Sequence, residues 1–235
     1  MTYPSTGSPQ GGVISPLLAN VYLHYVLDAW WEEAVKPRLA GRASLIRYAD
    51  DFVIGFTDES DARRVMEVLP KRLGKYGLSI HPDKTRLVPF ARPRGRQGRG
   101  EPESGNRPGT FDFLGFTHYW GRTLRGNWAV KRKTAQGRLI RSLKAVGRWC
   151  RDHRHLPVKE QWSALTAKLR GHFAYYGIAG NMKSLRSFRY HVTRAWRKWL
   201  SRRSNKARIP WERFGELEGR YPLPAARLKG IRLIT

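Results

Sequence analysis

The apolar residues of this chain change their spacing near Thr134. Before that point, short apolar runs are separated by Gly, Pro, Asn and Asp, which is typical of strands and connecting helices. After it, apolar residues recur every three or four positions in three successive stripes, as in amphipathic helices. Because 235 residues allow one or two domains, we predict an α+β fold in which an antiparallel sheet with helices precedes a helical bundle.

The first part of the chain carries signals for individual elements. Ser15 and Pro16 predict the start of a helix that ends near Pro37. Asp58 predicts the cap of a second helix, which runs to Lys75 and which Pro70 should kink or divide.

Strand signals surround these helices. A β-hairpin is predicted over Ala43–Thr57, with short strands at Leu78–Ile80 and Arg86–Phe90. A second hairpin over Phe111–Lys131 should turn near Arg125–Asn127. Between these strands, residues 92–109 contain Arg, Gly and Pro without apolar residues to bury, which predicts a basic loop.

The formal net charge of the chain is +27, and it is unevenly distributed. Residues 1–90 contain 11 basic and 10 acidic residues, whereas residues 91–235 contain 34 basic and 8 acidic residues. A segment this basic repels itself unless a polyanion neutralises it, so nucleic acid is the expected partner.

A single cysteine, Cys150, excludes an internal disulfide and a multi-cysteine zinc site. His153 and His155 lie in a cationic stretch that would repel a metal ion, and we interpret them as part of a surface turn.

The sequence has no secretory leader and no uninterrupted apolar span, so we expect a cytoplasmic, bacterial-type protein that can associate with the nucleoid and not with a membrane.

Asp50 and Asp51 lie at the tip of the first predicted hairpin. Two adjacent carboxylates beside a phosphate backbone are unfavourable unless a cation lies between them, and hard carboxylate oxygens suit Mg²⁺. The dipeptide alone is also compatible with an ordinary polar turn.

Four ordered segments place this pair in a wider pattern: GSPQGGVISPLLANVYL at Gly7–Leu23, YADD at Tyr48–Asp51, GLSIHPDKT at Gly77–Thr85 and FLGF at Phe113–Phe116. In order and spacing they resemble the middle-to-late palm motifs of group II intron reverse transcriptases. The region Arg138–Arg203 is similar to the maturase (X) or thumb domain of that family.

The resemblance implies a partial reverse-transcriptase palm at 1–132, a helical maturase or thumb domain at 133–208 and a C-terminal tail at 209–235.

The resemblance also implies roles for individual residues. Asp50 and Asp51 would hold Mg²⁺ in a two-ion site, and Lys84 would face the leaving pyrophosphate. The substrate- and template-binding residues would be Tyr48, Pro9, Gln10, Gly11, Phe113, Leu114, Gly115 and Phe116.

Each role has a structural alternative. Pro9 to Gly11 could be a helix lead-in, Lys84 a solvated lysine in a turn, and Phe113 to Phe116 a core strand. The family pattern also includes a third metal-binding carboxylate on a strand upstream of the Pro-Gln-Gly turn, together with fingers elements. This chain begins at that turn, so we expect an N-terminally truncated frame or a second piece that works with an upstream fingers and palm fragment.

The basic helical part is expected to bind RNA. Its predicted RNA-binding residues are Arg138, Arg141, Lys144, Arg148, Arg170, Arg194, Arg197, Lys198, Arg202 and Arg203.

The resemblance implies an RNA-directed DNA polymerase and intron maturase that assists splicing and retrohoming. Its partners would be intron RNA, an RNA template, a DNA primer and deoxynucleoside triphosphates. Two alternatives remain open: a non-catalytic RNA-binding maturase or splicing factor, and a structural RNA-binding protein in which the paired aspartates are incidental.

Overall fold

A computed structural model describes residues 14–93, 108–204 and 208–229. The chain divides into two compact units, Met1–Pro89 and Phe90–Thr235. The predicted α+β class is confirmed, with antiparallel sheets and a following set of helices. The division falls earlier than the boundary predicted at residue 132. The second sheet lies in the same unit as the helices, and Asn181 of this unit accepts a hydrogen bond from the Thr134 backbone N–H at 2.9 Å.

The first unit begins with helix α1 (Ser15–Leu23), which has Pro16 in its first turn. The helical path continues through two wide turns, His24–Ala29 and Trp31–Val35, and a final tight turn, Lys36–Arg38. The prediction of a helix ending near Pro37 is therefore confirmed.

The predicted hairpin is also confirmed, as strands β1 (Ala43–Tyr48) and β2 (Asp51–Phe56) pair antiparallel with Tyr48 opposite Asp51. Helix α2 (Glu59–Gly74) follows, and the Asp58 carboxylate caps it by accepting the Asp61 N–H.

Of the two predicted effects of Pro70, a kink or a division of the helix, division is wrong, because α2 is continuous across Pro70. Buried Leu69 and Leu73 hold both sides of the proline against Val26 and Leu27, and this packing outweighs the missing backbone hydrogen bond.

The predicted strands at Leu78–Ile80 and Arg86–Phe90 are not formed, and a short helical turn, Pro82–Lys84, lies between them. The apolar side chains of Leu78 and Ile80 pack against the core of this unit without forming a strand. In the described part of the first unit, the sheet consists of β1 and β2 alone.

The second unit opens with a three-stranded antiparallel sheet: β3 (Phe111–Phe113), β4 (Phe116–Arg122) and β5 (Trp128–Thr134). The predicted turn near Arg125–Asn127 is confirmed. A second turn at Leu114 and Gly115, with φ of 50° and 78°, joins β3 to β4 in the mirror-image geometry that suits hairpins. Most of the predicted basic loop at 92–109 lies outside the described residues.

The three apolar stripes form helices α3 (Gln136–Asp152), α4 (Val158–Tyr176) and α5 (Met182–Leu200) around a common core, as predicted. The structure differs from the predicted tail, since α6 (Trp211–Arg220) packs on this bundle. Phe214 is buried against Trp196, and Leu223 is buried after it, because the segment carries one apolar side that the bundle covers. None of the helices in the described ranges combines the length and apolarity needed to span a membrane.

Gln161 is a buried polar residue inside this bundle. Its side-chain amide donates to the carbonyl oxygens of Arg154 at 3.1 Å and Leu156 at 2.9 Å. Its Oε1 accepts the Trp196 indole N–H at 3.0 Å. Gln161 therefore fixes the loop between α3 and α4 to the core of the bundle.

The variant Gln161→Leu is expected to lower the free energy of unfolding by about 2 kcal/mol, because the buried indole N–H of Trp196 loses its acceptor. Urea denaturation monitored by circular dichroism measures this change. The exposed control Gln136→Leu should change stability by less than about 0.5 kcal/mol. Equal effects of the two variants would contradict the assignment.

Candidate active site

The hairpin between β1 and β2 presents the paired aspartates at its tip. Ala49 and Asp50 form the two-residue turn, and Asp51 begins β2 opposite Tyr48. Ala49 has a φ of 53°, a conformation in which glycine is more usual, so the turn stores some backbone strain. Asp50 and Asp51 are exposed, and the Tyr48 side chain is 66% exposed. The structure thus brings Tyr48, Asp50 and Asp51 together on one accessible tip.

Neither aspartate forms an ion pair or a hydrogen bond through its carboxylate with a described residue. Within the described part of the chain, no side chain competes with a cation for these oxygens, and carboxylate oxygens are the ligands that Mg²⁺ prefers. Within the described ranges, no group of three or more His, Cys, Asp or Glu side chains surrounds a common point. Asp50 and Asp51 would thus supply part of a metal's coordination and need further ligands.

Arg47 connects the turn of this hairpin to Asp28 through hydrogen bonds. Its Nε donates to Asp28 Oδ1 at 2.7 Å and its Nη2 donates to Asp28 Oδ2 at 2.5 Å. Its Nη1 donates to the Ala49 carbonyl oxygen at 2.9 Å and to Asn20 Oδ1 at 3.0 Å. A single guanidinium therefore joins the turn that carries Asp50 to the helix at the start of the chain.

This contact lies outside the sequence motifs, although the sequence carries a signal for it. In β1 the inward positions are Ala43, Leu45 and Arg47. Arg47 is therefore a charged residue at a position where the alternation predicts an apolar one. Asp28 likewise interrupts the apolar stripe of the first helix. Opposite charges at two inward-facing positions indicate an ion pair.

This ion pair changes the titration of both groups. The hydrogen bond from Arg47 is the largest cause that lowers the pKa of Asp28, and the same bond raises the pKa of Arg47. Both groups consequently stay charged, and the Asp28 carboxylate is engaged by Arg47.

The variant Arg47→Met is expected to lower the free energy of unfolding by about 2 kcal/mol, because Asp28 keeps a half-buried charge without its partner. The side chains of Arg47 and Asp28 are 14% and 28% exposed, so the loss is smaller than for a fully buried pair. Urea denaturation measures it, with exposed Arg42→Met as the control. A double-mutant cycle with Asp28→Asn should reveal coupling, and additive losses would contradict the pair.

Lys84 is the third residue with a predicted catalytic role. Lys84 is exposed in the turn Pro82–Lys84, and no hydrogen bond or ion pair joins it to Asp50 or Asp51 in the described structure. Its role at the leaving pyrophosphate stays a prediction. Pro9, Gln10 and Gly11 lie outside the described residues.

Phe113 to Phe116 form the turn between β3 and β4 in the second unit. Tyr175 of α4 donates its hydroxyl to the Leu114 carbonyl oxygen at 3.0 Å, and its ring stacks on Phe116 with centroids 5.9 Å apart. A Cβ on Gly115 would lie 3.1 Å from the Tyr176 hydroxyl. The helical bundle therefore holds this segment in place, and its role as a primer grip stays a prediction.

The predicted RNA-binding residues divide into two groups. Eight are exposed and donate no side-chain hydrogen bond to a backbone carbonyl oxygen of the described residues: Arg138, Arg141, Lys144, Arg148, Arg170, Arg194, Lys198 and Arg202. The other two also serve the fold: Arg197 donates to the Ile209 carbonyl oxygen at 3.1 Å and Arg203 donates to that of Arg154 at 2.6 Å.

Tyr190 was not among the residues predicted from the sequence. Its ring is 53% exposed on α5, Arg194 lies 5.4 Å from its centroid, and Arg194 donates to its hydroxyl at 2.7 Å. An exposed aromatic ring beside a guanidinium can stack on an unpaired base.

Comparison with known proteins places the chain in a family. No curated protein matches it significantly. Residues 1–118, half of the chain, match the family described as reverse transcriptase (RNA-dependent DNA polymerase). This range includes the hairpin with Asp50 and Asp51 and ends within the sheet that follows. Reverse transcriptases act on a nucleic-acid template and primer with nucleotide substrates and generally use divalent metal ions. The chain belongs to the reverse transcriptase (RNA-dependent DNA polymerase) family.

Proposed function

We propose that the chain is the RNA-directed DNA polymerase and maturase of a group II intron, and that it binds intron RNA in the cytoplasm to assist splicing and retrohoming. The observation that carries this proposal is the exposed Asp50–Asp51 tip within the family match, followed by a helical bundle with a basic surface. Both features are needed, because the Asp50–Asp51 pair supports only the polymerase activity and the basic helical bundle supports only the binding of RNA.

The chemistry follows from the residues of the tip. Asp50 and Asp51 would hold Mg²⁺ through their carboxylate oxygens, as part of a two-ion site completed by a third carboxylate. When bound, Mg²⁺ stabilises the charge that develops on the attacking and leaving oxygens in phosphoryl transfer. Tyr48, exposed beside the aspartates, offers a ring for the primer end or incoming nucleotide. Arg47 keeps the turn in place through its hydrogen bond to the Ala49 carbonyl oxygen.

The bundle supports the maturase part of the proposal. Arg138, Arg141, Lys144 and Arg148 are exposed at intervals of three or four residues along α3. Side chains at this spacing lie along one side of a helix, where they can follow a phosphate backbone. The exposed Tyr190 adds a ring that can contact an unpaired base.

Two assays test the proposal. Primer extension on an RNA template is compared for the chain alone and for the chain with a fingers-bearing fragment of a group II intron reverse transcriptase. Extension is expected with the fragment.

Binding to intron RNA is measured against an excess of bulk RNA, and a strong, salt-sensitive preference for the intron is expected. Binding without extension would favour a non-catalytic maturase, and indiscriminate binding would favour a structural RNA-binding protein.

A further inference from the structure

A surface cleft of about 460 Å³ lies beside the loop between α3 and α4. The side chains that line it are Arg151, Asp152, Arg154, His155 and Arg203. Three guanidinium groups and an imidazole therefore share one cleft with a single carboxylate. All five residues are exposed, so the cleft is accessible to a large ligand.

The backbone of this loop is held from two sides. The Arg154 carbonyl oxygen accepts hydrogen bonds from Gln161 Nε2 at 3.1 Å and from Arg203 Nε at 2.6 Å. The Leu156 carbonyl oxygen accepts from the same two side chains. Arg154 Nη1 also donates to the Arg151 carbonyl oxygen at 3.1 Å. These bonds hold the Arg154 and Arg203 guanidinium groups at the loop before any ligand binds, which reduces the entropy that binding must overcome.

The charges in the cleft are not balanced. Arg151 Nε donates to Asp152 Oδ1 at 2.8 Å, and this hydrogen bond is the main cause that lowers the pKa of Asp152, so this pair is neutral overall. Arg154 and Arg203 have no carboxylate partner among the described residues. Two neighbouring guanidinium groups repel each other until an anion neutralises them.

We propose that this cleft binds a phosphodiester group of an RNA strand through Arg154 and Arg203. The planar guanidinium matches the oxygens of a phosphate, and Arg203 keeps N–H donors beyond those that hold the loop. The proposal rests on the RNA-binding role proposed above for the helical bundle, and it adds to that role a site on the loop between α3 and α4.

The exposure of the cleft distinguishes a strand from free phosphate. An exposed charge pair raises affinity at most about fivefold, so the two contacts from Arg154 and Arg203 would bind a free phosphate no more tightly than about 40 mM. An RNA strand makes further contacts on the same bundle, and each neutralised phosphate releases counterions. The cleft is therefore suited to one phosphate within a polymer.

The experiment compares two variants of the full chain that each remove one positive charge. Arg154→Gln changes the cleft while the backbone of the loop remains bonded to Gln161 and Arg203, and Arg213→Gln removes an exposed charge from α6 as the matched control. Dissociation constants for a single-stranded RNA with a 5′-hydroxyl end are measured at several salt concentrations. Arg154→Gln is expected to bind about fivefold more weakly and to reduce the slope of log Kd against log salt by about 0.7.

The outcomes separate this proposal from the proposed function. Equal dissociation constants and salt slopes for the two variants would overturn the cleft site, even where the wild-type chain prefers intron RNA. A loss confined to Arg154→Gln would support the site, even where the wild-type chain does not distinguish intron RNA from bulk RNA. A wild-type chain that binds no RNA would overturn both proposals.

A titration with inorganic phosphate, followed by NMR of the Arg154 side chain, provides the second arm. No saturation is expected below about 40 mM. Saturation at lower concentration would overturn the assignment to a strand and identify a site for free phosphate.

Discussion

Primer extension on an RNA template is expected to fall at least about 10³-fold when Asp50 is replaced by asparagine. The amide keeps the shape of the side chain but loses the negative charge that holds a divalent cation. A metal ion contributes several kcal/mol to stabilising the charge in a phosphoryl-transfer transition state, and about 4 kcal/mol corresponds to a factor of 10³. The assay contains the full chain and the fingers-bearing fragment.

Stability measurements make this result specific. Asp50 forms no hydrogen bond or ion pair with a described residue through its carboxylate, so Asp50→Asn should leave the free energy of unfolding unchanged within about 0.5 kcal/mol. Glu67→Gln, an exposed acidic residue of α2, removes the same charge elsewhere in this unit and should extend primers like the wild type. Full extension by Asp50→Asn would show that the paired aspartates do not hold the catalytic metal.

The stability of the helical bundle is expected to decrease as the pH falls from 6.5 to 4, because of His172. This residue is 9% exposed, its ring stacks on Phe188 with centroids 3.7 Å apart, and its buried Nε2 has no hydrogen-bond partner among the described residues. Burial lowers the pKa of His172 from 6.5 to about 4. The folded bundle therefore keeps the ring neutral at pH values where the unfolded chain takes up a proton.

The sign of the effect follows from this difference in proton uptake. Between pH 6.5 and pH 4 the unfolded state binds more protons than the folded state, so acid favours unfolding. A lowering of the pKa by this amount corresponds to about 3 kcal/mol of stability that is present above pH 6.5 and lost by pH 4. Urea denaturation at half-unit pH intervals measures the loss.

The variant His172→Phe keeps the aromatic stack and removes the titrating group, so its stability should depend less on pH over this interval. His118, whose pKa burial also lowers, is unchanged in both proteins and cancels in the comparison. Exposed His191→Gln serves as the control and should retain the wild-type pH dependence. An identical dependence in His172→Phe and the wild type would contradict the assignment.

Several elements could be predicted because their signals are local. The three helical stripes, the cap at Asp58 and the hairpin around Asp50 depend on residues within one element, and all three are confirmed. The predicted strands at Leu78–Ile80 and Arg86–Phe90 failed because apolar residues in a short run can pack on a core without pairing.

The contacts that support the candidate site are of another kind. Arg47 and Asp28 are separated by 19 residues, and Gln161 and Trp196 by 35. Periodicity within one element indicates which side faces inward but not which residue of another element it meets there. The segment from Ile209 to Leu223 was misinterpreted as a tail for the same reason, since its burial depends on the helices that it covers.

The order of the motifs, the basic second part and the positions of the helices follow from the amino-acid sequence, because charge, turn residues and apolar spacing act over a few neighbouring residues. Packing in three dimensions joined Arg47 to the turn at Ala49, placed Arg154 and Arg203 in one cleft and buried His172 against Phe188. These arrangements depend on contacts between segments that are distant in the sequence. Burial and hydrogen bonding between those segments stabilise the contacts, and no short stretch of sequence specifies them.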